Sequence, residues 1–390
     1  MAHIQKRNGR WQARYRGPDG KERTRRFDRK VDAESWLDTN GADISRGQWV
    51  DPKGGKTTFA EWADTWKATT AGLRPSTRAR DIGYIDRYLL PTFGPVALSS
   101  IDYAMVATWL ATMTSTGPKS WWDEKEQPSR NRRPVAPATA VKASQILGKI
   151  MGTAVTAKKT HSNPVDEVSL PTIEREEMRF LTPVEVDRLA GAIESRYRAL
   201  ILVSAYGGLR IGEMAGLRRG RIDVLRARVD VVETCVEVGG LLHFGQPKTK
   251  AGRRSVTLPR SVASVLDDHL ATFTDANPDA LVFSAPEGGP LRLATWCRRF
   301  WAPAVDSAGL APLRPHDLRH TAVALWIATG ANPLEVSRRA GHTSTSFTQD
   351  RYGHLFPEAD GAVADRLEAL ISTVPQASGG DVVRMDGQCA

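Results

Sequence analysis

Between Arg10 and Phe27 the chain alternates. Trp11, Ala13 and Tyr15 take turns with Gln12, Arg14 and Arg16. A period of two predicts a half-buried strand. Pro18-Asp19-Gly20 supplies a turn, and Lys21 to Phe27 predicts a second strand carrying Arg23, Arg25 and Arg26. The period then lengthens. Residues 28–52 predict a helix with Val31, Ala33, Trp36 and Leu37 on its inner face. The N-terminal segment therefore reads as a small β-sheet of two or three strands backed by one helix.

Asp51 to Lys56 reads as a linker, and helical spacing dominates after it. Phe59, Trp62, Ala63 and Trp66 mark one helix over Thr58–Ala68. Ser76 caps a second, running to about Leu90. Ile101, Met105, Trp109 and Leu110 stripe a third over Ser100–Met113. Val141, Ile146, Ile150 and Val155 stripe a fourth over Thr139–Ala157. Four such helices predict a bundle. A long Pro- and Arg-rich insertion with Trp121-Trp122 separates the last two. Asn163-Pro164 marks a second boundary, and Thr182-Pro183-x-Glu185 opens a new helix as a capping box. From there the pattern mixes helices with a few strands: one over Arg228–Val236, a turn at Gly239-Gly240, and a strand ending in RRSVTLP. The last residues lack periodicity and predict a disordered tail. The chain thus reads as multidomain. A small β-sheet plus helix spans 1–56, an all-helical domain 57–172, a mixed, mainly α domain with a small sheet 173–373, and a tail 374–390.

Composition narrows the function. The net charge is +10, and the first 30 residues hold eleven Lys/Arg against three Asp/Glu. A basic segment that also alternates like a strand predicts a folded DNA-reading module, since a small basic sheet enters the major groove. No apolar run reaches membrane-spanning length and no apolar signal core opens the chain, which predicts a cytoplasmic protein away from membranes. Cys235, Cys297 and Cys389 are scattered and odd in number, giving neither a disulfide framework nor a metal-ligand pair.

Four motifs could carry chemistry: AYGGLRIGEMAGLR with Arg210 and Glu213, PKTKAGRRSVTLP with Lys248 and Lys250, LRPHDLRHTAVALWIATG with His316 and Arg319, and GHTSTSFTQDRYGH with His342 and Tyr352. Each has a plainer reading. Arg210 could pair with Glu213, Lys248 could be a solvated turn lysine, and His316 could be bonded locally at a helix start. His316, His320, His342 and His354 could suggest a metal. However, the i, i+4 pair His316/His320 lacks a zincin glutamate, and arginines crowd it. Together the residues fit a different chemistry. Cleaving a phosphodiester without metal needs fixed cations on the non-bridging oxygens, and arginine's planar, permanently charged fork serves best. It also needs a nucleophile, an acid for the leaving oxygen and donors for the developing charge.

The order Arg210, Lys248, His316-x-x-Arg319, Gly341-His342, Tyr352 resembles the tyrosine recombinase (phage integrase) family over about residues 58–372. The basic N-terminal segment resembles that family's arm-type DNA-binding domain. The resemblance implies a site-specific DNA recombinase. Tyr352 would form a 3′-phosphotyrosyl link, Arg210 and Arg319 would clamp the phosphate, and His342 would bond it. Lys248, or Lys250 in another hairpin register, would protonate the leaving oxygen. His316 would act as base or acid around the tyrosine, and Glu213 would orient the site. Arg14, Arg16, Arg23, Arg25 and Arg26 would contact arm-type DNA. The resemblance also implies no metal and no ATP, core-type and arm-type double-stranded attachment sites, and a homotetramer on DNA. A host DNA-bending protein and a directionality factor often accompany the family. A type IB topoisomerase-like enzyme and a non-enzymatic DNA-binding regulator are the competing readings. The polarity around Tyr352 predicts a DNA-facing tyrosine on a segment that is displaced or poorly ordered without DNA.

Overall fold

The alternation at Trp11–Tyr15 becomes the central strand of a three-stranded antiparallel sheet in the order β1 (His3–Arg7), β2 (Arg10–Arg16), β3 (Glu22–Phe27). The computed structural model describes residues 2–46, 49, 56–118, 133–174, 178–356 and 359–372. The chain divides into two compact units, Met1–Glu176 and Glu177–Ala390.

In the first unit, α1 (Lys30–Ser45) packs on one face of this sheet. Ala13, Tyr15 and Ala33 are buried there, and Trp36 meets the rings of Tyr15 and Phe27. Val31, expected inward, is 68% exposed because it falls in the helix's first turn, beyond the sheet. Four helical segments follow: α2 (Phe59–Thr69), α3 (Pro75–Tyr84) continuing through a π turn (Ile85–Leu89) into α4 (Leu90–Phe93), α5 (Tyr103–Ser115) and α6 (Pro137–Thr156). Thr58 and Glu61 form a reciprocal capping box at α2. Asp102 caps α5, whereas Ser76 lies inside α3 and caps nothing, because Pro75 already occupies the first helical position. Pro91 sits two residues past the π turn. Its missing N–H and the ring's clash with the preceding turn account for the widened register there. Phe59, Phe93 and Trp109 meet in tilted and edge-on contacts within this bundle, and all are buried.

The second unit begins with α7 (Pro183–Ala192), opened by the Thr182/Glu185 capping box, and α8 (Ser195–Gly207), buried along most of its length. A short α9 (Ile211–Ala215) leads into strands. β4 (Ile222–Asp223), β5 (Arg228–Val231) and β8 (Arg254–Thr257) form one sheet, and β6 (Thr234–Val238) and β7 (Leu241–Gly245) form a separate hairpin turned by Gly239-Gly240. The single strand expected over Arg228–Val236 is thus two strands. β5 pairs with β8 while β6 pairs with β7, so the chain changes sheets at Val232-Glu233. α10 (Arg260–Phe273) follows. α11 (Leu293–Trp296) runs through a second π turn (Cys297–Trp301) into α12 (Ala302–Ser307), again just ahead of a proline, Pro303. α13 (Asp317–Ala328) packs along α8, and α14 (Pro333–Ala340), α15 (Thr345–Tyr352) and α16 (Ala359–Ser372) complete the unit. No helix among the described residues is long and apolar enough to cross a membrane. Residues 119–132 of the insertion, with Trp121-Trp122, and the tail 374–390 lie outside the described residues.

Phe93→Ala should destabilise the helical bundle by about 3–5 kcal/mol, the usual cost of emptying a buried phenyl site. Urea unfolding of the full chain followed by tryptophan fluorescence checks this. An unchanged midpoint would mean that the Phe59/Phe93/Trp109 cluster is not a structural core.

Candidate active site

The end of α14 organises the site. A helix's last carbonyls have no partner within the helix and carry the negative end of its dipole. Here three consecutive carbonyls meet three arginines from distant segments. Arg254 Nε donates to Arg339 O at 2.8 Å, Arg319 Nη2 to Ala340 O at 2.5 Å, and Arg210 Nη2 to Gly341 O at 3.4 Å. Gly341 ends α14 in the left-handed region, φ +67°, where a Cβ would come within 2.7 Å of Ala251 O. Glycine therefore fits both the turn and the close approach.

Glu213, 2% exposed, holds two of the arginines in place. Its carboxylate accepts from Arg210 Nη1 at 2.8 Å and from Arg254 Nη1 and Nη2 at 3.1 and 2.9 Å. It also accepts from the Arg210 backbone N–H at 2.9 Å, which closes the start of α9. Burial would raise this carboxyl. The Arg254 hydrogen bonds, with the Arg254 and Arg210 charges, overcome that and hold it below its usual range. Arg319, 3% exposed, also donates to Gly208 O at 2.6 Å. Gly208 turns left-handed at the end of α8, φ +66°, against the ring of Trp326, where a Cβ would lie 2.5 Å from the ring. Burial and the Arg210 and Arg254 charges lower the Arg319 pKa to about 9, and the guanidinium stays charged at neutral pH.

His342 follows Gly341 directly, so the turn that seats Arg210 also delivers this imidazole. Its Nδ1 lies 2.8 Å from the buried Thr348 Oγ1, and its ring stacks parallel to Tyr352 at 6.3 Å. Burial, then the charges of Arg319, Arg210 and Arg254, push its pKa down to about 3, so it is neutral at physiological pH. Tyr352 ends α15, a regular helix capped by Ser344. The tyrosine is 1% exposed and packs with Ala322, Val323, Val336 and Ala340. The expectation of a DNA-facing tyrosine outside the core, on a displaced or poorly ordered segment, is corrected by this burial on a regular helix. Thr348 and Tyr352 are four residues apart on one inward face of an otherwise polar helix, so polar sequence neighbours do not prevent burial. Burial raises the phenol's pKa, against the opposing charges of Arg319, Arg351 and Arg210.

The Tyr352 hydroxyl meets His320 Nδ1 at 2.5 Å. In the sequence His320 is one of several histidines, and its i, i+4 spacing from His316 is its only signal. His316 stands at the N-terminal boundary of α13, where its side chain makes no capping hydrogen bond, and is exposed, with its ring edge-on to His320 at 4.8 Å. Partial enclosure, then the Arg319 and Arg210 charges, lower its pKa. Arg254 is likewise hidden in the sequence, because in RRSVTLP it is one of several basic residues. Lys248 and Lys250 are both exposed. Lys248 lies on the bend after β7 and Lys250 begins a 3₁₀ turn, so the two do not form the tip of a hairpin. Neither hydrogen-bonds the arginine cluster among the described residues, although their loop abuts it through Ala251 and Gly252. His354 is exposed just beyond α15. Among the described residues no group of three or more His, Cys, Asp or Glu stands close enough to hold a metal.

The N-terminal arginines divide between two faces. Directly paired residues share a face, so the register puts Arg23 and Arg25 with Tyr15 and Ala13 on the helix-backed side. Arg23 there pairs with Asp19 and lies over Trp49. Arg14, Arg16 and Arg26 lie on the open side with Arg10 and Gln12, and Arg7 joins them from β1.

Three buried or half-buried guanidiniums around one carboxylate leave this end of the site cationic, and known proteins resemble the chain as follows. The phage integrase family's sequence profile matches residues 179–359, and that of the phage integrase N-terminal domain matches residues 4–46. The putative prophage phiRv2 integrase of Mycobacterium tuberculosis is 31% identical over 374 residues, 93% of each chain. Two solved structures share the fold. The Tn1549 transposon integrase in complex with a circular intermediate DNA has a TM-score of 0.64 and 17% identity over 80% of this chain and 99% of that one. A lambda integrase tetramer bound to a Holliday junction has a TM-score of 0.54 and 17% identity over 88% and 96%. With a relative at 31% identity along nearly the whole of both chains, and family domains matched towards both ends, this chain belongs to the phage integrase family.

Proposed function

We propose that this chain, a tyrosine-type site-specific recombinase of the phage integrase family, cuts and rejoins DNA through a 3′-phosphotyrosyl link formed by Tyr352. One observation carries the reading. Arg210 and Arg319 bond consecutive carbonyls immediately before His342, whose ring stacks on the only tyrosine of the GHTSTSFTQDRYGH stretch. Arg210 and Arg319 hold the non-bridging oxygens, His342 hydrogen-bonds the same phosphate, and Glu213 fixes Arg210. Lys248 protonates the leaving 5′-oxygen once DNA draws its loop inward. The phosphotyrosyl bond keeps the energy of the broken one, and a 5′-hydroxyl from a partner strand reseals the DNA, so the cycle needs neither ATP nor metal. Residues 57–172 grip core-type sites and 173–373 carry the chemistry. Residues 1–56 read arm-type sites through the open face holding Arg14, Arg16 and Arg26. The related structures bound to DNA, one of them a tetramer on a Holliday junction, support a tetramer acting on two duplexes. Host bending and directionality factors remain part of the proposal.

Tyr352→Phe should bind attachment DNA as the parent does and form no covalent adduct. Denaturing gels of a nicked suicide substrate check this, and an adduct on the phenylalanine protein would remove Tyr352 from its role. Glu213→Ala leaves Arg254 buried without its counter-ion and should cost about 3–5 kcal/mol of stability, read by denaturant unfolding. Replacing Arg14, Arg16 and Arg26 together by alanine should weaken arm-type binding and flatten its salt dependence, by about 0.9 in log–log slope for each phosphate no longer neutralised. The pair Arg23 and Arg25 should matter less. Fluorescence anisotropy across a salt series distinguishes the two sets, and equal losses would contradict the two-face assignment.

A further inference from the structure

We propose that His320 is the base that takes the phenolic proton of Tyr352 as the tyrosine attacks the phosphate. This rests on the reading of Tyr352 as the nucleophile. A base must lie within hydrogen-bond reach of the proton it removes, and Nδ1 of His320 is 2.5 Å from the Tyr352 hydroxyl, with both side chains buried. The other two histidines stand elsewhere. The Nδ1 of His342 is turned to Thr348 while its ring lies flat against Tyr352. His316 is exposed at the cap of α13 and meets the edge of His320 instead of the phenol. His316 thus stands between the buried base and solvent, a position from which it relays the proton.

The groups around His320 keep it ready. On α13 and its cap it faces His316, Asp317 and Arg319, and on α15 Arg351 and Tyr352, with His342 beyond. Burial, then His316 and the Arg351 charge, lower its pKa to about 4, and only Asp317 opposes them. The ring is therefore neutral at neutral pH, and in the tautomer with its proton on Nε2 its Nδ1 lone pair accepts the phenol's hydrogen bond. As a free imidazole it is too weak a base for a buried phenol. A phosphate seated on Arg210 and Arg319 changes that, because its negative charge offsets theirs and raises the basicity of an imidazole beside them. The base strengthens only when the target is present. In the step, the Tyr352 oxygen bonds to phosphorus and its proton passes to Nδ1. The bond from phosphorus to the 5′-oxygen breaks, and that oxygen takes a proton from the separate acid.

The test isolates the nucleophile's half of the reaction. Core-site DNA with sulfur in place of the bridging 5′-oxygen needs no acid for its leaving group, so the single-turnover rate of adduct formation reports attack alone. His320→Gln keeps the volume and can still accept the phenol's hydrogen bond, but its amide cannot take the proton. His320→Ala removes both functions. On this substrate both variants should bind DNA normally and lose on the order of 100-fold or more in rate at neutral pH. Their rates should rise with pH as hydroxide replaces the base. Parent-like rates and pH profiles in either folded variant would overturn the proposal. A glutamine variant that restores the rate while alanine does not would also overturn it, since that outcome leaves His320 only a positioning role. Should alanine unfold the chain, the glutamine variant decides alone. An adduct formed by Tyr352→Phe would instead defeat the underlying reading of the nucleophile.

Discussion

Three guanidiniums converge on the last three carbonyls of one helical turn, and the rest of the site follows from that arrangement. Arg254, Arg319 and Arg210 donate to the carbonyls of residues 339, 340 and 341, with Glu213 as the single carboxylate bonded to them among the described residues. Burying this much positive charge is costly unless each cation is hydrogen-bonded. The helix end supplies acceptors at no further charge cost, because these carbonyls lack partners within the helix. One carboxylate does not balance three cations, so the pocket keeps an excess positive charge. Burial first, and that excess after it, lower the pKa of His342 and of His316, while the excess opposes the burial that raises the Tyr352 pKa. It is also the charge that an anion would neutralise.

Much of this was legible in the sequence, and the reasons differ from residue to residue. The capping box at Thr182/Glu185 is local and falls where its spacing puts it. Arg210, Glu213, Arg319, His342 and Tyr352 come together because their motifs each sit at a helix end or first turn, a geometry that short sequences specify well. Arg254 and His320 were not legible. Their importance comes from partners at Glu213, 41 residues away, and Tyr352, 32 residues away. No local period encodes such a pairing. The strand exchange at Val232-Glu233 escapes the sequence for the same reason: alternation gives a strand's faces but not its neighbours.

The N-terminal sheet shows the converse. Its alternation gave the inward set Trp11, Ala13 and Tyr15 correctly, yet counting arginines could not sort them. Only the register of β2 against β3, which pairs Tyr15 with Arg23 and Ala13 with Arg25, sorts five arginines onto two opposite faces. The match of residues 4–46 to the integrase N-terminal domain also weighs against the topoisomerase-like reading, which had no need of such a module.

Tyr352 ties these threads together. In sequence it is a tyrosine among polar residues, and in structure it is a core residue. Both descriptions hold because α15 turns Thr348 and Tyr352 inward while Arg351 stays at the rim. A fully solvated phenol would be held by nothing and would have water as a competing nucleophile beside it. A buried one bracketed by His320 and His342 is held in one orientation, with its hydroxyl within hydrogen-bond distance of His320 Nδ1. The burial that raises its pKa is therefore also what aligns it. Under the proposed reading, an anion at the arginines neutralises their excess charge and lets a neighbouring imidazole take up the proton. On that reading, a site built this way is activated by the phosphate that its arginines hold.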